Sequence, residues 1–206
     1  MKRKIITALI CILILALSVL IAAGMLYSPV QVVIDPGHGG SDVGAQYNGR
    51  YEKDDNLEIA LLVCENLRDM GIEACLTRDD DKFVELKDRC VLANRRNAEL
   101  FVSLHRNSAE GANGVEIWVS SDSPEADTAL AENILTALDA VGISENRGVK
   151  SGYARGEGNY YVNSQTDMPS CLVELGFINS ETDNALFDEN IQAYAEGIAK
   201  AIEETL

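Results

Sequence analysis

The stretch Val32-Val33-Ile34-Asp35-Pro36-Gly37-His38-Gly39-Gly40 constrains the chain more than any other. β-Prone residues run into Asp-Pro and then a glycine-bracketed histidine. This is the pattern of a buried strand that stops at a tight turn and presents one imidazole. There is only one other histidine, His105, and it too follows a β-prone run, Leu100-Phe101-Val102-Ser103-Leu104. Imidazoles placed just past two strand ends of an open α/β sheet fall on the edge where such sheets bind ligands.

Periodicity along the rest of the chain agrees with such a sheet. The strand at about Val30–Asp35 leads through a glycine-rich loop to a helix at about Asp54–Met70, where Leu57, Ala60, Leu61, Cys64 and Leu67 form one stripe. Gly71 stands where glycine commonly ends a helix. A short strand at Glu73–Thr77 and an acidic loop, Asp79-Asp80-Asp81, precede a second helix reaching about Arg96. The strand ending at His105 is followed by one over Gly114–Val119, in which Val115, Ile117 and Val119 alternate. Ser123 and Pro124 open a third helix to about Val141. After a glycine-rich loop from Gly142 to Gly158 come a strand over Ser170–Leu175 and a last helix over Glu189–Thr205. This order predicts a single α/β domain over residues 30–206, built on a twisted, mainly parallel or mixed sheet with helices on both faces.

The domain follows a targeting element. Lys2, Arg3 and Lys4 precede an apolar run from Ile5 to Leu26, long enough to cross a bilayer. Residues 1–29 are therefore expected to form a transmembrane or signal helix: an uncleaved single-pass signal anchor with a cytoplasmic N-terminus, or a cleaved signal peptide using the small residues Ala22-Ala23-Gly24. Either way the domain lies outside the cytoplasm, anchored at the membrane or secreted. The first 29 residues hold three of the 17 basic residues and none of the 33 acidic ones, which leaves the domain with 14 bases against 33 acids, a net charge of −19. Such a surface excludes nucleic acid as a partner and favours a soluble monomer. Cys64, Cys75, Cys90 and Cys171 show no metal-knuckle spacing and lie in apolar stretches, as buried thiols do, although an extracytoplasmic domain leaves a disulfide open.

The two histidines then acquire a chemistry. Catalytic zinc takes three protein ligands and keeps a fourth position open. His38 and His105 supply two; Glu52, in the loop before the first helix, is the best-placed third, with Asp54 and Asp55 as rivals that equally suit a helix first turn. Glu174 interrupts the apolar strand Ser170–Leu175, and a carboxylate there must face a metal, a cation or a cleft. It suits a general base that takes a proton from water and passes it to a leaving amine. An ion pair with Arg78 or Arg89 is the structural alternative. Glu116 lies in a cleanly alternating strand, so a solvent-facing position accounts for it.

Asp35-Pro36-Gly37-His38-Gly39-Gly40, Glu52-Lys53-Asp54, Ser103-Leu104-His105 with Asn107, Met168-Pro169 and Val173-Glu174-Leu175-Gly176-Phe177 occur in an order that closely resembles the zinc-dependent N-acetylmuramoyl-L-alanine amidases of the amidase 3 family. The resemblance spans nearly the whole outer domain. It implies that His38, Glu52 and His105 hold zinc, that Glu174 is the catalytic glutamate, and that the substrate is peptidoglycan, cut between N-acetylmuramic acid and L-alanine. Arg106 replaces the small residue many members have after the second histidine, and Tyr161-Val162-Asn163-Ser164 also departs from the family pattern. Arg106 and Asn107 are accordingly expected to bind substrate and to offer donors to the oxyanion. Some members carry a helical plug over the zinc site; Gly142–Gly158 is too short and glycine-rich for one, so an open site is expected. Two other readings fit fewer of these features: a membrane-tethered peptidoglycan-binding module without catalysis, and a zinc peptidase cutting within the stem peptide.

Overall fold

A computed structural model describes residues 10–16, 18, 29–122 and 125–206. Its centre is a six-stranded mixed sheet in the order β4-β1-β5-β8-β6-β7. The strands are β1 (Val32–Pro36), β4 (Ala74–Leu76), β5 (Leu100–Asn107), β6 (Val115–Val119), β7 (Asn146–Ser151) and β8 (Ser170–Phe177). β4, β1, β5 and β8 run parallel, β6 is antiparallel to β8, and β7 is parallel to β6. A two-stranded hairpin, β2 (Gln46–Tyr47) and β3 (Arg50–Tyr51), precedes the first helix. Asn48 and Gly49 turn it with φ of 49° and 84°, the Asn-Gly signature of a type I′ turn.

Side chains alternate across a strand, and the two faces of this sheet are covered unequally. Val32 and Ile34 of β1, Val102 and Leu104 of β5, and Val173 and Leu175 of β8 face one core, shared with three long helices. These are α1 (Glu52–Asp69), α3 (Glu125–Val141) and α5 (Glu181–Thr205), which contribute Ile59 and Val63, Leu130 and Ile134, and Ile198 and Ile202. Each such side chain, removed from water, contributes roughly 1.5–3 kcal/mol. The other face carries Val33, Phe101 and Leu172 under two short helices, α2 (Leu86–Arg95) and α4 (Tyr161–Gln165), which supply Cys90, Ala93 and Val162. That cover stops short of the C-terminal ends of β1, β5 and β8. The uncovered remainder is a cleft of about 1190 Å³.

The alternating pattern places most elements as expected, and the departures have local causes. Asn146–Ser151, within the segment read as a loop, is β7, an edge strand whose pairing with β6 supplies what its polar sequence does not. α5 starts eight residues before the expected Glu189 because the Ser180 side chain accepts a hydrogen bond from the Asp183 backbone N–H. α4 is a five-residue turn too short to register as a period. Cys64, Cys90 and Cys171 are buried and, like Cys75, unbridged. The expected opening of α3 at Ser123 and Pro124 lies outside the described residues. So does most of the predicted membrane segment, of which residues 10–16 are helical. Among the described residues no helix is long and apolar enough to cross a membrane.

Candidate metal centre

Asp35-Pro36 ends β1, and the chain turns at once into the cleft. His38 adopts φ 60°, a left-handed conformation that a residue with a side chain rarely takes. Two buried arginines hold it there. Arg89 donates to the carbonyls of Pro36 and His38, each at 2.7 Å, and to Asp35 Oδ1 at 2.7 Å. Arg78 donates to the carbonyls of Pro36 (3.0 Å) and Gly37 (2.9 Å). Both arginines are therefore committed to the turn, and neither forms the ion pair with Glu174 that the sequence left open. Asp35 completes the anchor by accepting from Ser103 Oγ at 2.7 Å and from the Thr77 hydroxyl. Gly37 is required by proximity: a Cβ there would lie 2.2 Å from the His105 ring.

His105 comes from β5 and Glu52 from the first turn of α1. Glu52 Oε1 sits between the imidazoles, 2.9 Å from His105 Nδ1 and 3.2 Å from His38 Nε2. The three donor atoms lie within 4.8 Å of one another. Backbone N–H groups orient the carboxylate: Ala45 donates to Oε2 at 2.8 Å and Arg106 to Oε1 at 3.2 Å. His38 Nδ1 faces Asp42 Oδ2 at 2.8 Å, which leaves Nε2 pointing at the cluster. A carboxylate behind a ligating imidazole is the usual outer support of a metal ligand. Sequence reasoning missed Asp42, although its position four residues after His38 in the same loop was visible. Of the rival acids, Asp55 pairs with Arg50 and Arg106 on the other side of the sheet, so Glu52 is the carboxylate brought to the histidines.

Glu174 reaches the same place along β8, paired in register with His105 across the parallel β5–β8 ladder. Its side chain is buried and its Oε2 has no hydrogen-bond partner among the described residues. Burial, and then the neighbouring Glu52 and Glu116 carboxylates, push its carboxyl well above the usual carboxylate range. Two imidazoles and the Glu52 carboxylate, with the unpartnered Glu174 Oε2 beside them, are a donor set short of one cation, and a zinc ion fits the three in ligand type and number.

Two expectations need correction, those for Arg106 and Glu116, and a third, for Asn107, is narrowed. Arg106 follows His105 on β5 and so projects to the opposite face. Its side chain is fully buried there; Nη1 donates to Asp55 at 2.6 Å, Nη2 donates to Asn184 at 2.7 Å, and the guanidinium lies over Phe187 at 4.4 Å. It has no surface to offer a substrate. Asn107 does line the cleft, but its Nδ2 already donates to Glu116 at 2.9 Å and its Oδ1 accepts from the Ser108 N–H. Glu116 is not solvent-facing: it is buried and paired across the antiparallel β6–β8 ladder with Glu174.

The comparisons with known proteins agree with this geometry. The family model described as N-acetylmuramoyl-L-alanine amidase (Amidase 3) matches residues 32–204. The sporulation-specific N-acetylmuramoyl-L-alanine amidase of Bacillus subtilis is 37% identical over 180 residues, covering 85% of this chain and 68% of that protein. The catalytic domain of CwlV, an N-acetylmuramoyl-L-alanine amidase from Bacillus (Paenibacillus) polymyxa var. colistinus, superposes with a TM-score of 0.74 at 38% identity, covering 84% of this chain and 96% of that one. Cwp6 from Clostridium difficile superposes with a TM-score of 0.80 at 35% identity over 87% of this chain, which spans 30% of the Cwp6 chain.

Proposed function

The chain belongs to the amidase 3 family of N-acetylmuramoyl-L-alanine amidases, and we propose that it is a zinc-dependent cell-wall hydrolase that frees the stem peptide from N-acetylmuramic acid. The observation that carries this reading is the pairing of His105 with Glu174 at the floor of a cleft that also holds His38 and Glu52. A binding module has no use for an orphaned buried carboxyl beside a three-ligand cluster.

In this reading His38, His105 and Glu52 would hold the ion. Zinc so held supplies Lewis acidity to the scissile carbonyl and to the attacking water. Glu174 accepts one proton from that water as its oxygen bonds to the lactyl carbonyl carbon. It returns the proton to the L-alanine nitrogen as the carbon–nitrogen bond breaks, and the water's second proton stays on the new lactyl carboxyl until it passes to the freed amine, so the products are a lactyl carboxylate and a peptide ammonium. Asp42 keeps the His38 ring oriented, and the Arg78 and Arg89 clamps hold the turn that carries it. Asn107 retains one Nδ2 hydrogen for a substrate oxygen. The basic flank and apolar run of residues 1–29 support action outside the cytoplasmic membrane, where peptidoglycan lies.

The test is mass spectrometry of purified muropeptides incubated with the protein and zinc, with a chelator control. Chelator-sensitive release of intact stem peptides beginning at L-alanine is expected. Cuts within the peptide would replace the amidase with a peptidase, and no cut with zinc bound would favour the binding module.

A further inference from the structure

The wall of the cleft beyond Glu174 carries two arginines, Arg147 and Arg155, in a chain whose net charge is −16. Arg89 and Arg106 border the cleft but are buried, and both are held by internal partners. Arg147, on β7, differs. Its Nε donates to Glu116 Oε2 at 2.8 Å, its Nη1 donates to the Asn113 carbonyl at 3.4 Å, and its guanidinium lies over the Phe177 ring at 5.1 Å. The Arg147 side chain remains 28% exposed, its Nη1 also lies 3.9 Å from the exposed Glu145 Oε2, and its Nη2 has no hydrogen-bond partner among the described residues. It is thus a fork gripped at the back and open at the front, the arrangement that binds a carboxylate through two parallel N–H donors.

Glu116 explains the grip. It is a buried carboxylate directly across from Glu174, a placement that raises the cost of both groups. Four donors or charges converge on it: Asn107 (2.9 Å), Trp118 Nε1 (3.1 Å), Arg147 and, at 3.7 Å, Lys150. A buried carboxylate here adds nothing to the sheet that a solvated or apolar residue would not, and what it does in this structure is hold Arg147 and Asn107 in place. Paired antiparallel residues lie about 5 Å apart. Arg147, one side chain further out, therefore sits within one to two peptide residues of the nitrogen that Glu174 serves, at about 3.5 Å per residue.

Resting on the amidase reading, the geometry points to Arg147, positioned by Glu116, as the residue that selects a stem peptide carrying a free carboxylate on the residue after L-alanine. Arg155, exposed on the same wall and without an ion pair among the described residues, adds a second positive charge to that side of the cleft. The charge complementarity would orient the substrate with its peptide toward β7 and its glycan away from it.

Binding of the released peptide needs no turnover, so it separates this inference from the amidase reading. Calorimetry of the zinc-loaded protein with two synthetic peptides beginning with L-alanine, identical except that the second residue's carboxylate is free or amidated, should show at least about tenfold tighter binding of the free acid, the range of one charge-assisted contact. Arg147→Ala should bring the two affinities within about threefold, and Arg147→Lys should fall between. Because Arg147→Ala leaves the buried Glu116 with Lys150, at 3.7 Å, as its one cationic neighbour among the described residues, the doubly neutral variant Glu116→Gln/Arg147→Gln gives the same reading without a weakly paired buried charge. Equal affinity of the wild type for both peptides, failure to bind either, or a preference that survives in the double variant would overturn the assignment. Muropeptide cleavage measured on the same preparations reports separately on the amidase reading.

Discussion

Glu116 and Glu174 face each other across the antiparallel β6–β8 pair, both buried, yet only Glu116 has hydrogen-bonded cationic company. The asymmetry divides the labour of two neighbouring carboxyls. One is neutralised and serves as a bracket, while the other, whose Oε2 has no hydrogen-bond partner among the described residues, stands at the floor of the cleft free to exchange a proton.

Replacing Glu174 with Gln should therefore lower turnover by about 10²–10⁴-fold, the usual share of a general acid–base group. Zinc stoichiometry should stay at that of the wild type, and the midpoint of thermal unfolding should hold or rise, since a costly buried carboxyl is gone. Turnover, metal content and a melting curve on one preparation suffice; a variant that keeps its activity removes Glu174 from the chemistry.

Zinc uptake should release protons near neutral pH. In the metal-free chain, burial works against the His38 imidazolium, but hydrogen bonds and charge from Glu52 and Asp42 override it and push the pKa up to about 9. At pH 7 the ring is protonated and must lose that proton to bind metal. Calorimetry of zinc binding in buffers of different ionisation enthalpy should show about one proton released from His38 at pH 7, vanishing above pH 9. Asp42→Asn should weaken zinc binding by about 10–100-fold. Buffer-independent heats at pH 7 would rule out a proton-for-metal exchange.

The Asp35–Arg89 pair should set the acid stability of the fold. Burial alone would raise the Asp35 carboxyl, yet Arg89 and the hydroxyls of Thr77 and Ser103 hold it below its usual 3.8. A depressed folded pKa stabilises at pH values above 3.8, and that contribution is lost as the pH falls through the lower folded value. Asp35→Asn should thus flatten the dependence of stability on pH in the acid range. Arg89→Ala, which leaves Asp35 charged and unpaired, should cost about 3–5 kcal/mol at neutral pH. Urea unfolding as a function of pH reads both.

Arg106 should behave as a structural residue. Arg106→Ala removes a buried partner of Asp55, which keeps Arg50 at 2.7 Å, so the loss should sit near the lower end for buried pairs, about 3 kcal/mol. KM for muropeptides should not change in the fraction that folds. A raised KM at unchanged stability would return Arg106 to the substrate.

Much of this protein could be read from residue order alone, because the signals are local. Strand–turn–histidine patterns marked β1 and β5, alternation oriented Val115, Ile117 and Val119 toward the core, and a carboxylate inside an apolar strand singled out Glu174. Those same signals brought His38 and His105 forward, with Glu52 as the best-placed third ligand beside its rivals Asp54 and Asp55, and it was the family resemblance that implied the three as one set. What residue order leaves open is which side chains share a face and what charge each meets there. The two-residue alternation of β5 sends His105 into the cleft and Arg106 through the sheet to Asp55. Only the strand order β5-β8-β6 sets His105, Glu174 and Glu116 in one row, and only the edge strand β7, drawn from a polar segment, brings Arg147 to them. Residue types carry the chemistry a group can perform, whereas the pKa, partner and reach of that group depend on long-range pairings that no local window contains.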